Sequence, residues 1–255
     1  MKNMKRIKCI IAYDGTNFLG YQIQNQGRTV QGELEKVLKR MHKGERIRVY
    51  ASGRTDTHVH ALGQVIHFDS PLDLRVENWQ KALNAQLPAD ISIVDVQFVP
   101  DTFHARYSSI GKEYHYRVLL KKERDPFLRN YSYHFPYELN MKAMREGMNY
   151  FLGTHNFTSF SSAKSTVENR VRTIERFEVI EKADELVFQI RGNGFLYNMV
   201  RIIVGTVLEV GIGKRAPSEI PTILDKKDRK FAGKTVPGCG LYLYQVFYKE
   251  DIQNF

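Results

Sequence analysis

The sequence predicts an α+β fold of two tandem ferredoxin-like halves, each running β-α-β-β-α-β, whose mainly antiparallel sheets join around a central cleft. Three observations predict it. Apolar residues recur at helical spacing in some segments and alternate at strand spacing in others. These segments follow one another in the same order twice. The chain has 255 residues, which suits one large domain or two of about half that length.

In the first half, the apolar run Ile7–Tyr13 closes on Asp14-Gly15, a strand entering a turn. Val30 to Met41 carries apolar residues at 30, 34, 37, 38 and 41, a helix with one buried face. Ile47–Ser52 and Gly63–Phe68 read as strands separated by the polar stretch Gly53–His60. Trp79, Leu83 and Leu87 lie four apart and place a second helix over Val76–Leu87. In Ile91–Val99, Val94, Val96 and Phe98 alternate with Asp95 and Gln97, which marks a strand.

The second half repeats the order. Tyr114–Leu120 is a strand and Met141–Leu152 a helix. Strands Ile174–Ile180 and Leu186–Arg191 flank the charged turn Glu181–Glu185. Phe195–Val210 is a helix, with a short extra one near Ser218–Leu224, and Gly240–Tyr248 is the last strand. The duplication lies in the pattern of elements, not residue by residue. The boundary falls near Pro100–Ser109, giving halves of residues 1–105 and 106–255. Lys121–Asn130 and Ser161–Arg170 are the longest irregular stretches and are expected to face substrate.

Composition narrows the partner. Hydrophobic residues make up 42%, enough for a buried core. The 38 Lys and Arg exceed the 28 Asp and Glu by ten, and such an excess suits a polyanion such as nucleic acid. The apolar run Ile7–Ala12 is too short for a signal peptide, and no stretch approaches a membrane span, so a cytoplasmic protein with no membrane partner is expected. Cys9 and Cys239 share no paired spacing and read as structural thiols. No glycine motif cradles a phosphate, which leaves a nucleotide cofactor unsupported.

The connection Ala51–His60 concentrates Arg54, Asp56, His58 and His60 between two apolar strands. A guanidinium within reach of a carboxylate keeps it ionised and oriented, and such a carboxylate serves as nucleophile or general base. The same spacing also suits an ordinary surface turn. His58 and His60 have an H-x-H spacing, but no further ligand clusters nearby in sequence. Tyr114 and Tyr116 share one face of a strand, either as core residues or as a platform for a base. Arg201 lies on a helix that is apolar almost all round. It is expected to hold Asp56 or a phosphate, or else to pair structurally with Glu209. Arg106, Lys112, Arg170 and Arg172 are further candidates to hold phosphates.

The loop Gly53-Arg-Thr-Asp56, with Val59-His-Ala61 after it, resembles the active-site signature of the TruA family of tRNA pseudouridine synthases. Seven further segments match in order. They are Tyr13–Gly20, Val30–Leu34, Phe103–Arg106, Tyr114–Tyr116, Phe157–Phe160, Met199–Arg201 with Val204-Gly205, and Gly240–Leu243. The resemblance implies a homodimer that isomerises uridines 38, 39 and 40 of the tRNA anticodon stem-loop without metal or organic cofactor. It implies that Asp56 is the nucleophile, that Tyr114 contacts the target base, and that Arg54 acts in base flipping or in orienting Asp56. Two departures stand out. Thr57-His58 replace the family's usual Ala-Gly, and Tyr21 replaces its usual Trp. Such changes suit the diverged second copy that several bacteria carry, and they bear on which uridines are admitted. Two other classes compete with this reading: a non-catalytic tandem RNA-binding module, and a metal-dependent hydrolase using His58 and His60.

Overall fold

The computed structural model describes residues 4–163 and 167–249; positions 164–166 of the expected Ser161–Arg170 loop lie outside the described residues. The chain is a mixed α+β protein. It divides into two compact units, Met1–Ile110 with Tyr242–Phe255, and Gly111–Leu241. Among the described residues no helix is long and apolar enough to cross a membrane.

The first unit opens with the elements β1 (Lys5–Tyr13), α1 (Val30–Met41), β2 (Tyr50–Ala51), β3 (His60–Ser70), α2 (Val76–Asn84) and β4 (Ile91–Val99). That is the expected β-α-β-β-α-β order. β1 lies between β3 and β4, antiparallel to both. The last strand, β10 (Leu241–Tyr248), runs parallel to β3, with Tyr242 opposite His60 and Leu243 opposite Ala61.

Register fixes the two faces of this sheet. Ile7 pairs with Phe68, Cys9 with Ile66 and Ile11 with Gln64, so these side chains share a face. Phe68 packs edge-on against Trp79 of α2, which identifies it as the helix-covered face. α1 is capped by Thr29, whose hydroxyl accepts from the Gly32 N–H, and it buries Val30, Leu34, Val37 and Leu38. β2 is shorter than the apolar run Ile47–Ser52 suggests. The Val49 N–H donates to the buried Glu35 carboxylate instead of to a strand.

The second unit contains β5 (Ser109–Leu119), β6 (Tyr133–His134), α3 (Met141–Asn149), β7 (Gly153–Asn156), β8 (Val171–Lys182), β9 (Glu185–Gly192), α4 (Met199–Gly211) and α5 (Glu219–Lys226). Strand order is β5-β9-β8-β7, antiparallel throughout, with β6 parallel to β5. The short strands β6 and β7 carry no periodicity and were not indicated by the sequence pattern. α4 starts four residues later than the apolar run because Asn198 takes a left-handed conformation, φ 62°. Its residues are buried on nearly every side, and aromatic contacts such as Phe151 edge-on to Phe160 fill the core beneath.

The other face of the first unit's sheet carries Arg6 opposite Asp69 and Lys8 opposite His67. His67 is buried, accepts from the Ala105 N–H at 3.2 Å, and is stacked on Tyr50 at 5.0 Å. Burial, then the nearby His104 and Arg6, push its pKa down to about 4. The folded state therefore keeps His67 neutral where the unfolded chain protonates it, near pH 6.5. His67 thus makes the fold lose stability as pH falls from about 6.5 towards 4. Urea unfolding at pH 7 and pH 4.5 checks this: His67→Gln removes part of the difference seen in the wild type.

Candidate active site

Asp56 lies in the connection from β2 to β3, and the first unit grips that connection from three directions. At its start, the Ser52 N–H donates to the Val65 carbonyl at 2.8 Å. The Ser52 hydroxyl donates to Gln64 Oε1 at 2.7 Å, and Gln64 Nε2 donates to the Gly53 carbonyl at 2.9 Å. Gln64 is fully buried, so its amide acts as an internal bracket. In the middle, the Thr55 hydroxyl lies 2.8 Å from the Tyr13 hydroxyl, and the Thr55 carbonyl accepts from the Tyr21 N–H at 3.0 Å. Burial raises the Tyr13 pKa to about 12, and the bonds to Thr55 and Gln64 offset part of that rise. Tyr13 is therefore a neutral structural phenol, not a proton carrier at neutral pH.

At the end of the loop the Asp56 carbonyl accepts from the Val59 N–H, a tight turn immediately after the carboxylate. His58 Nδ1 lies 2.9 Å from the Thr16 carbonyl. His60 Nδ1 accepts from the Gly15 N–H at 3.0 Å. Asp14 Oδ1 lies 3.2 Å from the same ring nitrogen. His60 is buried and stacked on Tyr242 at 4.7 Å.

The contacting segment Gly15–Tyr21 must lie very close. A Cβ on Gly15 would sit 2.1 Å from the Val59 carbonyl oxygen. Gly20 has φ +100°, and a Cβ there would come within 2.7 Å of the Thr55 carbonyl oxygen. Backbone thus packs on backbone, which leaves the loop little room to shift.

Asp56 itself is half-buried. Arg54 is exposed and forms no ion pair among the described residues, so its guanidinium is not what holds the carboxylate in this structure. Among the described residues no three His, Cys, Asp or Glu side chains are grouped as metal ligands. The neighbouring imidazoles serve backbone groups. Burial pushes the thiols of Cys9 and Cys239 up, as expected for structural cysteines.

In the second unit, β5 separates the two tyrosines. Tyr116 is fully buried, and its hydroxyl donates to the Pro237 carbonyl at 2.8 Å, which makes it a core residue. Tyr114 keeps 8% exposure and meets Phe195 edge-on at 5.1 Å. Arg201 lies in the first turn of α4 and is anchored within its own unit. Its Nε donates to the Val236 carbonyl at 2.7 Å and its Nη1 to Asn198 Oδ1 at 2.9 Å. Glu209 has its own partners, Arg215 at 2.6 Å and the Lys234 N–H. Arg106 is exposed, while Arg172 donates to the carbonyls of Asn169 and Val171. The bracing roles of Gln64, Tyr13 and Asn198 were not foreseen from the sequence. A polar Gln inside the apolar strand 63–68 was the available signal.

Residues 9–108 and 148–249 match a family model described as tRNA pseudouridine synthase. The chain belongs to the tRNA pseudouridine synthase family. It is 61% identical over 245 residues to "tRNA pseudouridine synthase A" of Anoxybacillus flavithermus, covering 96% of this chain and 99% of that one. It is 60% identical over 245 residues to "tRNA pseudouridine synthase A 1" of Bacillus cereus strain ATCC 10987, with the same coverage. Over 244 residues it is 61% identical to a Geobacillus protein also named tRNA pseudouridine synthase A, covering 96% of this chain and 98% of that one.

Two residues singled out in the sequence now have physical content. His58 sits at φ 62°, a conformation that favours glycine. Its ring bond to Thr16 partly compensates. Removing the ring while keeping a Cβ leaves the strain alone. His58→Gly is therefore expected to be more stable than His58→Ala by about 1 kcal/mol, the reverse of the usual order. Thermal unfolding of the two variants decides it.

Tyr21 is buried with a hydroxyl that finds no hydrogen-bond partner among the described residues. A buried unsatisfied hydroxyl costs free energy. Tyr21→Phe should leave stability unchanged or raise it by up to about 1 kcal/mol. A loss above that in chemical denaturation would show that the hydroxyl is satisfied in solution.

Proposed function

We propose that this chain converts uridine to pseudouridine at positions 38, 39 and 40 of the tRNA anticodon stem-loop, with Asp56 as its catalytic carboxylate. The observation that carries the reading is the bracing of the Asp56 loop. An eight-residue connection held by Gln64, Tyr13 and the Gly15–Tyr21 backbone serves a reacting group better than a solvent turn. The family match and the basic excess of ten charges support the same reading.

The reaction is an isomerisation. The C1′–N1 bond breaks, the uracil turns, and C1′ bonds to C5; a proton leaves C5 and N1 gains one. No redox step or hydrolysis is involved. The Asp56 carboxylate supplies an electron pair, by attack at C1′, by addition at C6 or by removal of a sugar proton. The detached base must be retained while it turns, and Tyr114 provides an aromatic wall with little solvent exposure. Arg201, its direction fixed by Val236 and Asn198, holds an anionic group of the substrate. Arg54 points into solvent, where it takes the place of the extruded base or binds its phosphate. We further propose that the enzyme works in the cytoplasm as a homodimer and needs no metal or organic cofactor.

The test is incubation with unmodified tRNA followed by chemical mapping of pseudouridine, with no added metal or nucleotide. Product is expected at positions 38–40, and Asp56→Asn is expected to lower the rate at least about 10³-fold while leaving tRNA affinity within threefold. Product made by Asp56→Asn at the wild-type rate would remove Asp56 from the chemistry. Product at other uridines would retain the reaction and reassign its targets to those admitted by Thr57-His58.

A further inference from the structure

The face of the first unit's sheet opposite α2 carries a group of rings that the reaction does not use. Tyr50 and His67 are stacked at 5.0 Å, His104 meets both Tyr50 at 5.6 Å and His67 at 4.7 Å, and Tyr107 lies over His104 at 4.4 Å. The inner rings are fixed. His67 is buried and holds the Ala105 N–H, while His104 Nδ1 accepts from the Arg106 N–H at 3.1 Å. The outer rings are bare: Tyr50 is 38% exposed and Tyr107 is 78% exposed. Cations flank them. The Arg48 guanidinium lies 5.0 Å from the Tyr50 ring centre and that of Arg106 lies 5.8 Å from Tyr107. Neither has an ion pair among the described residues. Arg6 behind them is engaged with Asp69 and with the carbonyls of Asp101 and Phe103.

Exposed rings backed by a rigid stack, with two unneutralised guanidinium groups beside them, match the chemistry of an unstacked nucleotide. The ring takes the base face and the guanidinium takes the adjoining phosphate. An acidic protein surface would need the cations but not the bare rings. The rings sit where the Asp56 loop leaves β2, away from its far end at His60. Tyr50 pairs with His67, seven residues along β3 from the end of the Asp56 loop, on the order of 20 Å at strand rise.

We propose that Tyr50, His104 and Tyr107, with Arg48 and Arg106, form a stacking platform for an unpaired nucleotide of the RNA substrate, several nucleotides from the uridine at Asp56. This rests on the proposed activity on tRNA. The platform sets affinity and register, and leaves the chemical step alone.

The test compares wild type, Tyr107→Ala, Tyr107→Phe and the double variant Arg48→Ala/Arg106→Ala on full-length unmodified tRNA. Tyr107→Ala is expected to raise KM and Kd about tenfold with kcat unchanged, and Tyr107→Phe to restore both. The salt slope of binding should stay at the wild-type value in Tyr107→Ala and fall in the double arginine variant. Unchanged KM and Kd in Tyr107→Ala would overturn the platform. So would a change of oligomeric state in sedimentation, which would assign the rings to a second copy of the chain. A wild type that binds tRNA through Tyr107 but makes no pseudouridine would keep the platform and defeat the proposed activity. A wild type that binds no tRNA would defeat both.

Discussion

The site depends on a contact between two stretches of bare backbone. Residues 15–21 lie so close under Thr55–Val59 that a single methyl group at Gly15 or Gly20 would collide with a carbonyl. Backbone contact of this kind leaves no side-chain torsion through which the loop could relax. The Tyr21 N–H and the Thr16 and Phe18 carbonyls then lock the register of one stretch on the other. A connection of this length would ordinarily be among the more mobile parts of a fold. Here Ser52, Gly53, Thr55, Asp56, His58 and Val59 each commit a backbone group to a hydrogen bond, and the carboxylate of Asp56 is carried on a braced support.

That rigidity has a local cost, stored in His58 and Tyr21. A β-carbon at φ 62° and a buried phenol without a partner are both defects of a kind that surrounding structure must compensate. Both border the Asp56 loop, yet the bonds that brace it remain: the Gln64 bracket, the Tyr13–Thr55 pair and the Gly15–His60 bond.

Much of the fold was legible in the sequence wherever apolar periodicity was undisturbed. α1 and β4 have the bounds that spacing indicates: α1 starts at its Thr29 cap, and β4 keeps its pairing to β1 although Asn84 and Gln80 also bond its outer backbone groups. The misreadings have specific causes. Glu35 takes the Val49 N–H and shortens β2; Asn198 turns left-handed and delays α4; β6 and β7, of two and four residues, are too short to show a period. The site was less legible. Asp56 stood out only because eight short segments matched one family in order. Arg54, two residues before Asp56, suggested an ion pair that is not found among the described residues, where Arg54 is exposed and Asp56 half-buried. Gln64 and Asn198 act across distances or conformations that spacing does not encode.

The alternation of β3 ties these threads together. On the helix-covered face, Gln64 braces the loop and Phe68 packs on Trp79. On the opposite face, His67 backs the exposed rings of Tyr50 and His104. One strand thus supports a fixed carboxylate on one side and an exposed, cationic, aromatic surface on the other. The two tasks have opposite requirements. Chemistry needs a group held within a fraction of an ångström, which calls for burial and complete hydrogen bonding. Affinity for a polyanion comes from exposed cations and bare rings, whose contacts are individually modest and tolerant of small displacements. Because successive residues of a strand face opposite ways, the sequence can vary the odd positions of β3 without touching the even ones. The exposed ring-bearing side of β3 can then change while the bonds that brace the Asp56 loop stay intact.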